Sequence, residues 1–109
     1  MNTTENNKLI AKFMRYHYVA ETTSTHDYFI VKGRYIRPNG IIFDKDWNWL
    51  MEVVQKINNQ NNVVQIHENH VMVVNNTKGE VIVDVVSGSM LEATYEAVVE
   101  YVKLKEKKL

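Results

Sequence analysis

Histidine and acidic residues are the candidates for catalysis or metal binding in this sequence, which contains no cysteine. His67 and His70 stand three apart with Glu68 between them. They flank an expected turn and are placed to be neighbours, but a zinc site needs three or four convergent ligands and no third is evident. A surface turn is the favoured reading of this pair, and a metal-dependent hydrolase using His67 and His70 remains an alternative. His17 falls beside the apolar stripe of an expected first helix, as a partly buried residue at the core edge. His26 lies in a polar loop. A nucleophilic mechanism requires a hydroxyl held by a base that is itself oriented. The serines are Ser24, Ser87 and Ser89, and Ser89 is placed to cap a helix. The four glycines are scattered singly, so there is no phosphate-cradling loop. The expectation is a protein that is not an enzyme, with no catalytic residue, no cofactor and no metal.

Residues suited to attachment are easier to find. Tyr28-Phe29-Ile30-Val31-Lys32-Gly33-Arg34-Tyr35-Ile36-Arg37 interleaves aromatic and basic side chains. Cations attract phosphate and aromatic rings stack on unpaired bases, so Lys32, Arg34, Tyr35 and Arg37 are candidate contacts for a partner or for RNA. The competing reading is a hairpin with aromatic packing and solvated cations. Trp47 and Trp49, two apart, face different ways on a helix. Trp47 falls on the apolar stripe and is expected in the core. Trp49 falls off it and, if exposed, is an anchor of the type enriched at interface hot spots; a lateral core contact is the other possibility. Glu92, Glu96 and Glu100 recur at i, i+4 and i+8 and share one helix face. This row reads as a solvated face, or alternatively as an acidic docking face for a basic groove, as in a nuclease inhibitor.

The elements that must position these residues follow from periodicity. Leu9, Ile10, Phe13, Met14 and His17 predict a helix over about 6–19. Tyr28–Val31 and Tyr35–Ile36 predict two short strands, with Ile41-Ile42-Phe43 as an extension of the second. Trp47, Leu50, Met51, Val54 and Ile57 predict a helix capped from Asp44-Lys45-Asp46. Val63–His67 and His70–Val74 predict a hairpin turning at Glu68-Asn69. Glu80–Val86 follows as a strand with Val81, Val83 and Val85 on one face. Ser89-Met90-Leu91-Glu92 has capping-box form, and Leu91, Tyr95, Val98 and Val102 stripe the last helix, with Met90, Thr94 and Val99 at its margins. Lys103, Lys105, Lys107 and Lys108 suit its negative end. The fold class is α+β: a small antiparallel sheet packed by three helices, in the order α-β-β-α-β-β-β-α.

A chain of 109 residues allows one domain, here 1–109, with 1–6 expected to be flexible and 104–109 a basic tail. No apolar run approaches the roughly 20 residues that span a bilayer, and no signal-peptide pattern is present. The absence of cysteine suits a reducing compartment, so a cytoplasmic location is expected, with no membrane partner. The formal net charge is zero, but it is unevenly spread. Residues 1–43 carry six basic and three acidic side chains, 44–102 carry three and nine, and 103–109 carry four and one. One molecule can therefore present a basic and an acidic face.

Three stretches resemble small proteins from phages and prophages of Bacteroidetes-type bacteria, similar to the phage ABA (α–β–α) sandwich domain. They are Asn7-Lys8-Leu9-Ile10-Ala11-Lys12-Phe13-Met14, Asp46-Trp47-Asn48-Trp49-Leu50-Met51-Glu52-Val53-Val54-Gln55-Lys56-Ile57, and Leu91-Glu92-Ala93-Thr94-Tyr95-Glu96-Ala97-Val98-Val99-Glu100-Tyr101-Val102-Lys103. The group commonly carries a Gly after the first motif and a Pro within the second; the corresponding places here are near Arg15 and Glu52. The resemblance implies a phage origin and an antagonist of host defence: an anti-CRISPR protein, against a type VI RNA-cleaving effector, that binds the effector or its guide RNA. A structural or regulatory phage protein that self-assembles is the alternative. Partner identity, RNA contact and oligomeric state stay open, since one fold hosts many functions.

Overall fold

The structure is a computed structural model and describes residues 3–20 and 27–107. Among the described residues, three helices and two three-stranded antiparallel sheets form an α+β fold. Helix α1 spans Thr3–Phe13, followed by strands β1 (His17–Ala20), β2 (Asp27–Val31) and β3 (Arg34–Ile36). A 3-10 turn at Pro38–Gly40 leads to α2 (Trp47–Asn58), then β4 (Asn62–His67), β5 (His70–Asn75), β6 (Val81–Val86) and α3 (Met90–Lys107). The class and order match the expectation, with two differences: the strands divide into two sheets, β1-β2-β3 and β4-β5-β6, and the first has three strands instead of two.

The third strand was hidden by an early helix end. The expected helix over 6–19 stops at Phe13 because Arg15 adopts φ 62°, the left-handed conformation. Its N–H donates to the Lys12 carbonyl and the N–H of Tyr16 to that of Ala11, a Schellman closure. Glycine usually fills that place, and an arginine gives no signal for it. His17 consequently lies on β1 and is exposed, not at the edge of a helical core. At the other end, α1 begins at Thr3, inside the stretch 1–6 expected to be flexible, and Asn6 is already buried. Residues 104–107, expected as a tail, continue α3. Ile41 and Phe43 are fully buried, but in the connection after the 3-10 turn instead of a strand extension.

The β4–β5 turn at Glu68-Asn69 is as predicted, with His67 opposite His70. In β6 a bulge between the Val73 and Val74 pairings breaks the alternation. Val83 and Val85 face the core, whereas Val81 pairs with Val74 on the outer face and is 53% exposed. This corrects the expected shared face of Val81, Val83 and Val85.

Helix α3 packs on β5 and β6 and against α1 and α2, while α2 also contacts β4. It buries Tyr95, Val98 and Val102 of the predicted stripe and Thr94 and Val99 from its margins, and adds Ala93, Ala97 and Tyr101, while Leu91 is only partly buried. Ile10, Leu50, Val53, Ile57, Val71, Val73, Phe29 and Phe43 complete the core. Each large apolar side chain so buried contributes about 1.5–3 kcal/mol. Asn7 crosses this core with its polar atoms paired: its amide donates to the Ile41 carbonyl and Asp44 (2.9 Å each) and accepts from the Tyr95 hydroxyl (2.8 Å). Burial of that phenol raises the Tyr95 pKa far above its ordinary value, so it stays a donor.

Candidate functional site: a cleft between the β2–β3 hairpin and α2

The residues that could attach a partner are placed by a turn and a cap. Lys32 (φ 50°) and Gly33 (φ 81°) form a two-residue hairpin loop with both dihedrals positive, the geometry of a type I′ turn. The loop sets Val31 opposite Arg34 and Phe29 opposite Ile36. Arg34 and Ile36 therefore rise on the inner face with two buried residues, while Tyr35 points the other way. On α2, the Asp46 carboxylate accepts from the N–H of Asn48 (2.8 Å) and of Trp49 (3.4 Å). The cap fixes the helical phase so that Leu50, Val53, Val54 and Ile57 are buried and Trp49 sits beside them. Trp47 is 36% exposed at the helix entrance. The expectation that Trp47 lies in the core is thus overturned, and of the two readings of Trp49 it is the lateral core contact that holds.

Hairpin and helix enclose a cleft of about 440 Å³, within the range of small-ligand sites. Its apolar side is built from Val31, Ile36, Trp49 and Tyr16. Trp49 meets Phe43 edge-on at 5.4 Å and Tyr16 at 6.5 Å, and Tyr16 stacks with Phe43 at 6.1 Å. Such contacts hold rings in fixed orientations. One wall carries Lys32 and Arg34, the other Asn48 and Glu52, one helical turn apart. Lys32 donates to Glu52 at 2.7 Å. Both side chains are substantially exposed, so this bridge contributes at most about 1 kcal/mol and a ligand can rearrange it. Among the described residues Arg34 has no partner for its guanidinium. Burial, and secondarily the Glu52 carboxylate, raise the Tyr16 phenol above its ordinary pKa, which keeps it protonated.

Of the sequence candidates, Lys32, Arg34 and Trp49 converge on this cleft. Tyr35 is 74% exposed on the opposite face, where it meets Tyr28 edge-on at 5.2 Å, and Arg37 does not line the cleft. Tyr16, Asn48 and Glu52 were missed. Tyr16 was hidden by the early end of α1, whereas Asn48 and Glu52 flank Trp49 at helical spacing and were legible in principle.

The acidic row is dispersed. Glu92 turns back to accept from the Ser87 hydroxyl at 3.4 Å, and its N–H donates to the Ser89 cap at 3.1 Å. Glu96 and Glu100 line a second depression, of about 340 Å³, with Asp84 and Lys103. His70 lies 2.6 Å from the Asp84 carboxylate. Among the described residues no group of three or more His, Cys, Asp or Glu side chains gathers in a form able to hold a metal ion. His26 and Ser24 lie outside the described residues. No helix among the described residues is long and apolar enough to cross a membrane.

No protein-family model, curated protein or solved structure matches this chain.

Proposed function

We propose that this chain is a binding protein that engages RNA through the hairpin–α2 cleft, and that it acts as a phage-encoded inhibitor of a host defence nuclease by attaching to the guide RNA of a type VI CRISPR effector. The observation that carries the reading is the convergence of Lys32 and Arg34 with Trp49 around one cleft, although they come from different elements. Unpaired RNA offers what this surface accepts: phosphates for the cations and flat bases for the aromatic side. Host-defence antagonism rests on the resemblance of the three helical stretches.

The test titrates labelled single-stranded RNA into the protein at several salt concentrations. Affinity falls as salt rises, because phosphate contacts release counterions. Arg34→Ala lowers affinity by about tenfold, in line with the loss of one charge-assisted contact. Arg34 is exposed, so this change leaves the core intact. Equal binding by Arg34→Ala and the parent, or salt-independent binding, removes the cleft from the reading. An RNA-cleavage assay with type VI effectors, showing full activity at saturating protein, removes the inhibitor.

A second reading is self-assembly, favoured by the outer face of the β4–β6 sheet. Val63, Val74 and Val81 form one cross-strand row there, Met72 lies in the next, and Val86 at the far end is 68% exposed.

A further inference from the structure

We infer that the cleft is a pocket for a single unpaired guanine, read by the Glu52 carboxylate. The inference rests on the RNA reading above and names the base within it. Guanine is the one standard base whose Watson–Crick edge presents two adjacent donors, N1–H and the N2 amine. A carboxylate is acceptor-only and takes both at once, in the geometry it also uses for a guanidinium. Glu52 stands on the polar wall of the cleft. Each of its oxygens has two lone-pair positions, so the bond from Lys32 to one oxygen leaves the pair-wise edge available.

The rest of the cleft fits the same ligand. Asn48, one turn earlier on the same wall, carries an amide that donates to O6. Trp49 and Tyr16, oriented by Phe43, give the base an aromatic surface. Arg34 on the facing wall is unpartnered among the described residues and available to a phosphate. Adenine places an acceptor, N1, where guanine has N1–H, and its lone pair faces the carboxylate. Uracil and cytosine each offer one donor. Discrimination by a bidentate contact is commonly tenfold or more.

The experiment measures binding of five-nucleotide RNAs, four uridines around a central guanosine, adenosine or inosine, by fluorescence anisotropy. The guanosine oligomer binds about tenfold tighter than the adenosine oligomer, and inosine, which lacks the N2 amine, falls between them. Glu52→Gln keeps the side-chain shape and brings the guanosine-to-adenosine ratio to about one; circular dichroism confirms the variant is folded. Asn48→Ala, at an exposed position, narrows the ratio independently. Equal affinity of the parent for all three oligomers overturns guanine selection while RNA binding stands. Absence of binding to every oligomer overturns the RNA reading and this one with it. An unchanged ratio in Glu52→Gln overturns the role of the carboxylate.

Discussion

Arg15 explains most of what the sequence concealed about the first third of the chain. Its φ of 62° costs a non-glycine residue on the order of 1 kcal/mol, a cost borne by the Schellman closure of α1 and by the Lys56 ammonium, which donates to the Phe13 carbonyl at the same helix end. Lys56 also lies over the Phe13 ring, 4.6 Å from its centroid. Burial, and then the neighbouring Arg15 charge, lower the Lys56 pKa. Arg15→Gly relieves the backbone strain and the like-charge contact together. The expected result is a gain of about 1 kcal/mol, a rise in Tm of roughly 4 °C for a domain of this size. Thermal unfolding followed by circular dichroism reads it, and an unchanged or lower Tm would show that the Arg15 side chain contributes more than its conformation costs. Periodicity alone carries no trace of a left-handed arginine, so the helix was extended through His17 and β1 was lost. The tryptophan helix shows a milder limit: the predicted stripe shares Leu50, Val54 and Ile57 with the buried face, but Val53 is buried where Trp47 and Met51 were expected.

Elements with strong local signals were legible. The β4–β5 hairpin, the Ser89 start of α3 and the amphipathic character of α2 all lie in segments whose pattern and punctuation agree. The hairpin at Lys32-Gly33 stood as one of two readings of its segment, because a lysine occupies the first position of a turn that favours asparagine. The β6 bulge escaped for a related reason: Val81-Ile82-Val83 reads as unbroken alternation, and the extra residue appears only in the pairing with β5. That bulge turns Val81 outward beside Val63 and Val74, producing the apolar row on which self-assembly depends. If the outer face joins two copies, light scattering at tens of micromolar gives twice the monomer mass, and Val81→Lys restores the monomer. Because Val81 is already half exposed, the substitution leaves the melting temperature of the monomer within a few degrees. A parent protein that scatters as a strict monomer at that concentration ends the second reading.

The molecule as a whole is longer than a compact chain of its size, 48 × 30 × 25 Å with a radius of gyration of 14.5 Å against roughly 13 Å expected. The two sheets are unequally supported. The β4–β6 sheet is backed by α3, which is itself flanked by α1 and α2, whereas β1–β3 joins the body chiefly through the inner face of β2 and the connection that follows β3. A short sheet with edge strands and few backing elements opens at lower free energy than the core it rests on. Native-state hydrogen exchange is therefore expected to show two tiers, with Phe29 and Val31 in β2 exchanging through a smaller opening than Val71 and Val73 in β5. The cleft lies on the seam, with one wall from each part, so an occupant must hold them together. RNA at about 100 times its Kd slows any opening that destroys its site by about a hundredfold. The β2–β3 amides should slow by that factor, because their opening removes Arg34 from the cleft. Slowing confined to β5 and α3 would place the ligand elsewhere, and a single tier of exchange in the free protein would show that the first sheet unfolds only with the whole.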